Sequence, residues 1–186
     1  MVTDERIIEL FFQRSEQAIR ELDTKYGKAC HALSYNIVND KQDAEVCVND
    51  AYLGAWNTIP PTKPNSLQAY ICKIVRNISL KLYYRKGVAK RSGAYEVAMQ
   101  EIEPYLSATD TVETEIETKE LARIIECFLD TLNEENCVIF MRRYWFSDTY
   151  AEISKRVGLS EKNVSVRLTR LRKQMKKYLI EREVYL

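Results

Sequence analysis

The stretch Thr149–Tyr178, TYAEISKRVGLSEKNVSVRLTRLRKQMKKY, indicates the fold more sharply than any other part of the chain. Thr149 can cap a helix over Tyr150–Val157, and Gly158 supplies the left-handed backbone conformation that ends such a helix. Ser160 can then cap a second helix that continues through Tyr178. Because two capped helices joined at a glycine turn are typical of a helix-turn-helix motif, the sequence predicts one here.

The second helix of this motif has one apolar stripe and a basic remainder. Val164, Leu168, Leu171 and Met175 recur at spacings of three and four, so they should be buried. The side chains left on the other faces could meet the major groove of DNA, and they are Lys162, Asn163, Ser165, Val166, Arg167, Arg170 and Lys173. The competing interpretation is an ordinary helical hairpin with a solvated basic face. The joint occurrence of caps, glycine turn and cations favours DNA binding.

The rest of the chain also shows helical spacing, with no convincing alternating strand, so we expect an all-α protein. The segment Ile59–Asn65 is rich in proline and must therefore form a loop. After this loop, Leu67, Ile71, Ile74, Ile78 and Leu82 predict the buried side of one long helix. The remaining helices are expected over one or two short stretches between Ile8 and Leu22, then over Ala29–Val38, Asp43–Trp56 (capped at Asn39-Asp40), Leu121–Leu132 and Glu134–Tyr144.

Charges are strongly segregated along the chain, although Lys+Arg (28) and Asp+Glu (27) nearly balance. Lys73–Arg91 has seven cations and no carboxylate, and Lys155–Arg182 has ten cations against two carboxylates. Glu96–Glu120 has eight carboxylates against a single lysine. Since local fields guide the choice of electrostatic partners, a polyanion could bind at two separate places.

The acidic stretch also loses core periodicity and contains Pro104, so residues 92–118 are expected to form a linker. The sequence therefore predicts two small helical domains, over residues 1–91 and 119–186, on either side of an acidic linker.

Composition disfavours several other classes of protein. No apolar run approaches the roughly 20 residues of a membrane span, and the N-terminus is polar, so we expect a cytoplasmic chain without membrane insertion. The five cysteines never form C-x-x-C and His31 is the only histidine. We therefore predict no metal site, no cofactor and no enzymatic activity. An enzyme or zinc module built on Cys30, His31 and Cys47 remains the alternative from another class.

Three collinear motifs resemble those of the extracytoplasmic-function (ECF) sigma factors, the small two-domain initiation subunits of bacterial RNA polymerase in the sigma-70 family. Asp43–Trp56, DAEVCVNDAYLGAW, resembles their DAEDLVQETFLRAW-type helix without a gap. Leu67–Asn77, LQAYICKIVRN, resembles the FRAWL-x-x-IARN helix. Tyr150–Ser154 and Arg167–Arg172 resemble the YEEIA and RLSRAR pieces. The resemblance covers nearly the whole chain in the family's order.

This resemblance implies a sigma factor that binds core RNA polymerase and directs promoter-specific initiation. The Asp43–Trp56 helix would dock on the coiled-coil clamp of the largest polymerase subunit. Its contacts would be Asp43, Glu45, Asn49, Asp50 and Leu53. Such an acidic helix surface suits a basic helical partner, while Ala44, Cys47, Val48, Ala51 and Ala55 face inward. The flap of the second-largest subunit is a further implied contact, and an anti-sigma factor is a possible additional partner.

For DNA, the resemblance implies that the proline-rich loop and the helix after it recognise and open the minus-ten element. The side chains implied in this role are Asn65, Ser66, Gln68, Tyr70, Lys73, Arg76, Asn77 and Lys81. Tyr70 is equally compatible with stacking on an unpaired base and with packing in the core. The helix-turn-helix would read the minus-thirty-five element. A conventional helix-turn-helix transcriptional regulator with an N-terminal sensing domain is the alternative function.

Overall fold

The computed structural model describes residues 2–86, 93–106 and 115–182, without the side chains of 115–119. Every regular element within these ranges is a helix, which confirms the all-α prediction. The chain divides into two compact units, Met1–Gly93 and Ala94–Leu186. The helices are α1 (Asp4–Phe12), α2 (Gln17–Val38), α3 (Lys41–Thr58), α4 (Leu67–Arg85), α5 (Ala94–Leu106), α6 (Glu115–Asp130), α7 (Glu134–Tyr144), α8 (Tyr150–Val157) and α9 (Glu161–Ile180).

The first unit is built on the mutual packing of α2, α3 and α4, with α1 against α2. Helix α3 begins at Lys41, two residues before the expected Asp43, and its cap lies in the predicted pair Asn39-Asp40: the side chain of Asp40 accepts a hydrogen bond from the backbone N–H of Asp43 at 3.0 Å. It ends at Thr58, and its C-cap Ile59 comes immediately before Pro60, which cannot donate a helical hydrogen bond. All the inward residues predicted for this helix are buried. They are Ala44, Cys47, Val48, Ala51 and Ala55.

Two expectations for the first unit differ from the structure. Helix α2 is one continuous helix rather than several short ones. In α4 the buried residues are Leu67, Ile71, Cys72, Val75 and Ser79, while Ile74, Ile78 and Leu82 are only half-buried. The reason is that α4 packs against both α2 and α3, so its buried side is centred between two neighbours rather than on the most apolar stripe.

The second unit contains the predicted helix-turn-helix. Thr149 and Glu152 form a reciprocal capping box at the start of α8, and Gly158 ends this helix at φ 70°, in the left-handed region. Ser160 then accepts a hydrogen bond from the backbone N–H of Asn163 at 3.2 Å. The predicted apolar stripe of α9 is buried throughout, from Val164 to Met175.

Helix α5 contradicts part of the expected linker. Over Ala94–Leu106 the chain is helical, and Tyr95, Ala98 and Ile102 are buried against the second unit, where α5 contacts α7 and α9. These residues recur at helical spacing, but the acidic side chains between them and Pro104 after them concealed the stripe in the sequence. The remainder of the expected linker, residue 92 and residues 107–118, lies outside the fully described residues, as do Lys90 and Arg91 of the first basic stretch.

Candidate polymerase and nucleic-acid interfaces

The α3 surface consists of Glu45, Val46, Asn49, Asp50 and Leu53, which share one exposed side of that helix. It contains four of the five residues that the sequence analysis assigned to polymerase binding. Leu53 is 57% exposed, and Val46, which the sequence analysis did not select, is 54% exposed. The surface therefore combines two carboxylates with two apolar side chains, each of which is more than half exposed.

Asp43, the fifth predicted contact, is engaged inside the first unit. Its carboxylate accepts hydrogen bonds from the Nζ of Lys86 at 2.6 and 2.5 Å, and its side chain is only 20% exposed. The residue thus fastens the end of α4 to the start of α3. Sequence reasoning missed this pairing because Lys86 lies 43 residues away along the chain.

The residues predicted for the minus-ten element lie on α4 and on the loop before it. Asn65, Ser66 and Gln68 are exposed at the start of the helix, where Ser66 is the N-cap and accepts from the N–H of Ala69 at 3.3 Å. Lys73, Asn77 and Lys81 are exposed at four-residue spacing, so they form one row along the helix. Arg76 is half-buried beside this row.

Tyr70 is half-buried, and its hydroxyl donates a hydrogen bond to the Oγ1 of Thr58 at 2.8 Å. The residue therefore joins the start of α4 to the end of α3 while part of its ring stays accessible. A groove with a volume of about 530 Å³ lies beside Asn65, and its other wall is formed by α1. Sequence reasoning missed this wall; its residues are Asp4, Glu5, Ile8, Glu9, Phe12 and Gln13.

The α9 surface consists of Lys162, Asn163, Val166, Arg170 and Lys173, all of them exposed. They belong to the set predicted to meet the major groove, and Val166 is 41% exposed. The two other members of that set, Ser165 and Arg167, are half-buried. Arg167 forms an ion pair through its Nη1 with the Oε2 of Glu135 on α7, a contact that sequence reasoning did not anticipate.

A buried charge cluster formed by Glu101, Arg143 and Arg172 joins α5, α7 and α9. Arg143 donates to Glu101 from Nε at 3.1 Å and from Nη2 at 2.7 Å, the two-pronged geometry that suits a carboxylate. Arg172 donates from Nη1 to Glu101 at 3.3 Å and to the hydroxyl of Tyr144 at 2.8 Å. Arg172 belongs to the second basic stretch of the sequence, yet it is buried and therefore not available to a polyanion.

The hydroxyl of Tyr144 stays protonated in this environment. Burial raises the pKa of Tyr144 to about 12, although the hydrogen bond from Arg172 opposes the shift. Nearby, burial also raises the pKa of the Asp148 carboxyl, against the opposing charge of Arg142, whose Nε donates to it at 2.6 Å. Both side chains are buried, so the interior around α7 excludes water from groups that are usually solvated.

The cysteines of the first unit are unsuited to the alternative of an enzyme or zinc module. Cys30, Cys47 and Cys72 are buried. The hydrogen bond with Cys72, followed by burial, raises the pKa of the Cys30 thiol, and burial raises that of Cys47. Since the thiolate is the form that attacks substrates, the raised pKa values of Cys30 and Cys47 disfavour a nucleophilic role for these two thiols.

Within the described ranges, no group of three or more His, Cys, Asp or Glu side chains has an arrangement that could hold a metal ion. Nor does any helix there combine the length and apolar character needed to cross a membrane.

Comparisons with known proteins match two ranges of the chain to family models. The family model for sigma-70 region 2 matches residues 22–88, and that for sigma-70 region 4 matches residues 122–175. Comparison with curated proteins gives no match. Among solved structures, "Structure of CnrH in complex with the cytosolic domain of CnrY" matches at 18% identity with a TM-score of 0.45, covering 97% of this chain and 98% of that chain.

The two matched ranges contain the surfaces described above, with α3 and α4 in the first and the helix-turn-helix in the second. The first range has 67 residues and the second has 54, so together they cover 121 of the 186 residues of the chain. The chain therefore belongs to the sigma-70 family and is a sigma factor, a non-enzymatic transcription initiation factor that combines region 2 with region 4 as the ECF type does.

Proposed function

We propose that this sigma factor binds core RNA polymerase through the α3 surface, recognises and melts the minus-ten element through α4 and its preceding loop, and reads the minus-thirty-five element through the α9 surface. The observation that carries the proposal is the exposed row of cations and polar side chains on a helix-turn-helix whose caps and glycine turn are in place. A helix presented in this way can enter the major groove.

The α3 surface has the composition expected of a protein interface. Its exposed Val46 and Leu53 supply apolar contact area next to the carboxylates of Glu45 and Asp50. The apolar part would contribute affinity, while the carboxylates would guide a basic partner and set the register. We infer that the partner is the clamp coiled coil of the largest polymerase subunit, in line with the family resemblance. Contact of the second unit with the flap of the second-largest subunit stays a prediction from the same resemblance.

Opening the minus-ten element requires compensation for a base taken out of the stack, which costs a few kcal/mol. The row of Lys73, Asn77 and Lys81 would hold the single strand through its phosphates, and Asn65 and Gln68 offer hydrogen bonds to a base edge. Tyr84, with 62% of its surface exposed, provides a further ring for stacking at the far end of α4.

The assignment of the α3 surface is tested by reversing two of its charges, with Glu45→Lys and Asp50→Lys in one variant. We expect retention on immobilised core polymerase to be lost while helicity is kept, because exposed substitutions seldom unfold a domain. The matched control carries Glu5→Lys and Glu16→Lys, the same change of charge at exposed positions of α1 and of the segment before α2. Unchanged retention of the first variant would contradict the assignment. Promoter binding by the chain without polymerase would favour the conventional regulator instead.

The role of α4 in melting is tested with Asn77→Ala in reconstituted holoenzyme. We expect slow formation of the open complex on a duplex promoter and near-normal transcription from a template with a premelted minus-ten region, because the bubble removes the step that Asn77 assists. Permanganate footprinting of unpaired thymines measures opening directly. An equal defect on both templates would show that Asn77 reads a base or binds the strand rather than assisting the opening.

A further inference from the structure

Arg167 is the one predicted minus-thirty-five contact that the described structure shows in an ion pair with a carboxylate. Its partner, Glu135, lies in the first turn of α7, where a negative side chain is stabilised by the helix dipole. The start of that turn is itself fixed, because the side chain of Asn133 accepts from the N–H of Asn136 at 2.9 Å. The side chains of Arg167 and Glu135 are 33% and 47% exposed, so solvent and DNA can reach the pair.

The relative placement of α7 and α9 is set by buried contacts behind this ion pair. Arg172 of α9 donates to Tyr144 of α7 at 2.8 Å, and Ile139 of α7 and Leu168 of α9 belong to the same buried apolar cluster. Glu135 is therefore held beside the α9 surface by the core of the unit. A carboxylate at this place is a permanent feature of the surface that would face DNA.

The presence of this carboxylate bears on specificity. The exposed cations Lys162, Arg170 and Lys173 can bind phosphates of any sequence, and such contacts carry no sequence information. Glu135 repels phosphates and pairs with the guanidinium of Arg167. A contact between Arg167 and a phosphate of any sequence is therefore weakened by Glu135. Because Glu135 accepts from Nη1 of Arg167, the donors on Nε and Nη2 can still bind a guanine while the ion pair is kept.

We propose that Glu135 is a specificity-determining residue of the minus-thirty-five interface: by pairing with Arg167 it weakens binding to non-cognate duplex more than binding to the cognate element. Discrimination arises here from a repulsive group as well as from attractive contacts. The inference rests on the proposed reading of the minus-thirty-five element by α9.

The test uses holoenzyme assembled from core polymerase and the full chain with Glu135→Gln. One probe is a duplex promoter fragment whose minus-thirty-five segment has been selected by wild-type holoenzyme from a randomised pool. The other is the same fragment with that segment scrambled. We expect the variant to bind the scrambled fragment about two- to five-fold more tightly, the range that an exposed ion pair allows. Binding to the selected fragment should change less than about two-fold, so the ratio of the two affinities falls.

Salt dependence gives a second readout. If Arg167 gains a phosphate in the variant, the slope of log affinity against log salt on the scrambled fragment should steepen by up to about one. The matched control is Glu134→Gln, which removes the same charge from the neighbouring exposed position of α7. We expect this control to change the affinities for both fragments by the same factor.

Two further variants separate the contact from charge and from folding. Glu135→Asp keeps the charge but shortens the side chain, and it should lower the ratio as Glu135→Gln does. With Arg167→Met already present, Glu135→Gln should leave the ratio unchanged, because the partner is gone. A ratio that falls in this background, or that is unaffected by both Glu135 variants in the wild-type background, would overturn the inference. If wild-type holoenzyme showed no minus-thirty-five preference, both this inference and the proposed function of α9 would fail.

Discussion

The two units of the chain bury different kinds of polar side chain. In the described part of the first unit these are Ser34 and Ser79, whose hydroxyl oxygens lie 2.8 Å apart. In the second unit they include Arg143 and Arg172, which both form ion pairs with Glu101. The first unit therefore depends mainly on apolar burial, whereas the second also depends on the compensation of buried charge.

This difference shows that α5 is part of the second unit rather than a linker that precedes it. Glu101 is the carboxylate that faces both guanidinium groups, and α5 also places Tyr105 with its ring centroid 5.6 Å from the Arg172 guanidinium carbon. A buried ion pair contributes little compared with an apolar core, but removal of one partner leaves an uncompensated charge. We therefore expect the second unit to be much more sensitive to a single charge change.

The largest effect is expected for Glu101→Gln. It should lower the free energy of unfolding of the second unit by about 3–5 kcal/mol, since the uncharged amide leaves Arg143 and Arg172 without an anionic partner. Hydrogen exchange followed by mass spectrometry resolves the two units, and protection should be lost in α7–α9 but kept in α2–α4. The matched control is Glu126→Gln, at an exposed carboxylate of α6 in the same unit, with an expected change below about 0.5 kcal/mol. Equal effects of the two variants would contradict the special role of Glu101 in the second unit.

A smaller effect is expected for Thr149→Ala at the start of α8. The capping box links Thr149 and Glu152 in both directions, with the Glu152 carboxylate accepting from the Thr149 N–H at 2.7 Å. Its loss should destabilise the second unit by about 1–2 kcal/mol.

In the first unit, Asp40→Ala removes the cap of α3 and should cost about 1 kcal/mol. Chemical denaturation monitored by circular dichroism measures both. Comparable destabilisation by Gly158→Ala would be expected as well, because φ 70° is unfavourable for a residue with a Cβ.

The smallest effect is expected for Ser34→Ala in the first unit. The Ser79 hydroxyl still donates to the carbonyl of Val75 at 2.8 Å, so the variant loses a hydrogen bond without stranding a donor. The cost should be about 1 kcal/mol or less, and the double variant with Ser79→Ala should cost less than the sum of the two single changes. A loss as large as that of Glu101→Gln would mean that the first unit also depends on its buried polar groups.

Local signals determined the parts of this protein that depend on neighbours in the chain. The cap at Thr149, the left-handed Gly158 and the cap at Ser160 predicted the bounds of α8 and the start of α9, because each acts through hydrogen bonds within a few residues. The apolar spacing of α9 likewise predicted its buried side. The exposed members of the α3, α4 and α9 sets followed from the same helical arithmetic together with the family resemblance.

Only the tertiary structure decided which charged residues are engaged within the units. The paired residues lie 32 to 71 positions apart in the chain, so no local periodicity could predict the pairs. They are Asp43 with Lys86, Arg167 with Glu135, and Arg143 and Arg172 with Glu101. Helix α5 was missed for the same reason, since its short buried stripe gains a core only when α7 and α9 are packed beside it. A charge has the same appearance in a sequence whether it meets solvent, DNA or an opposite charge, and its burial depends on distant segments brought together by folding.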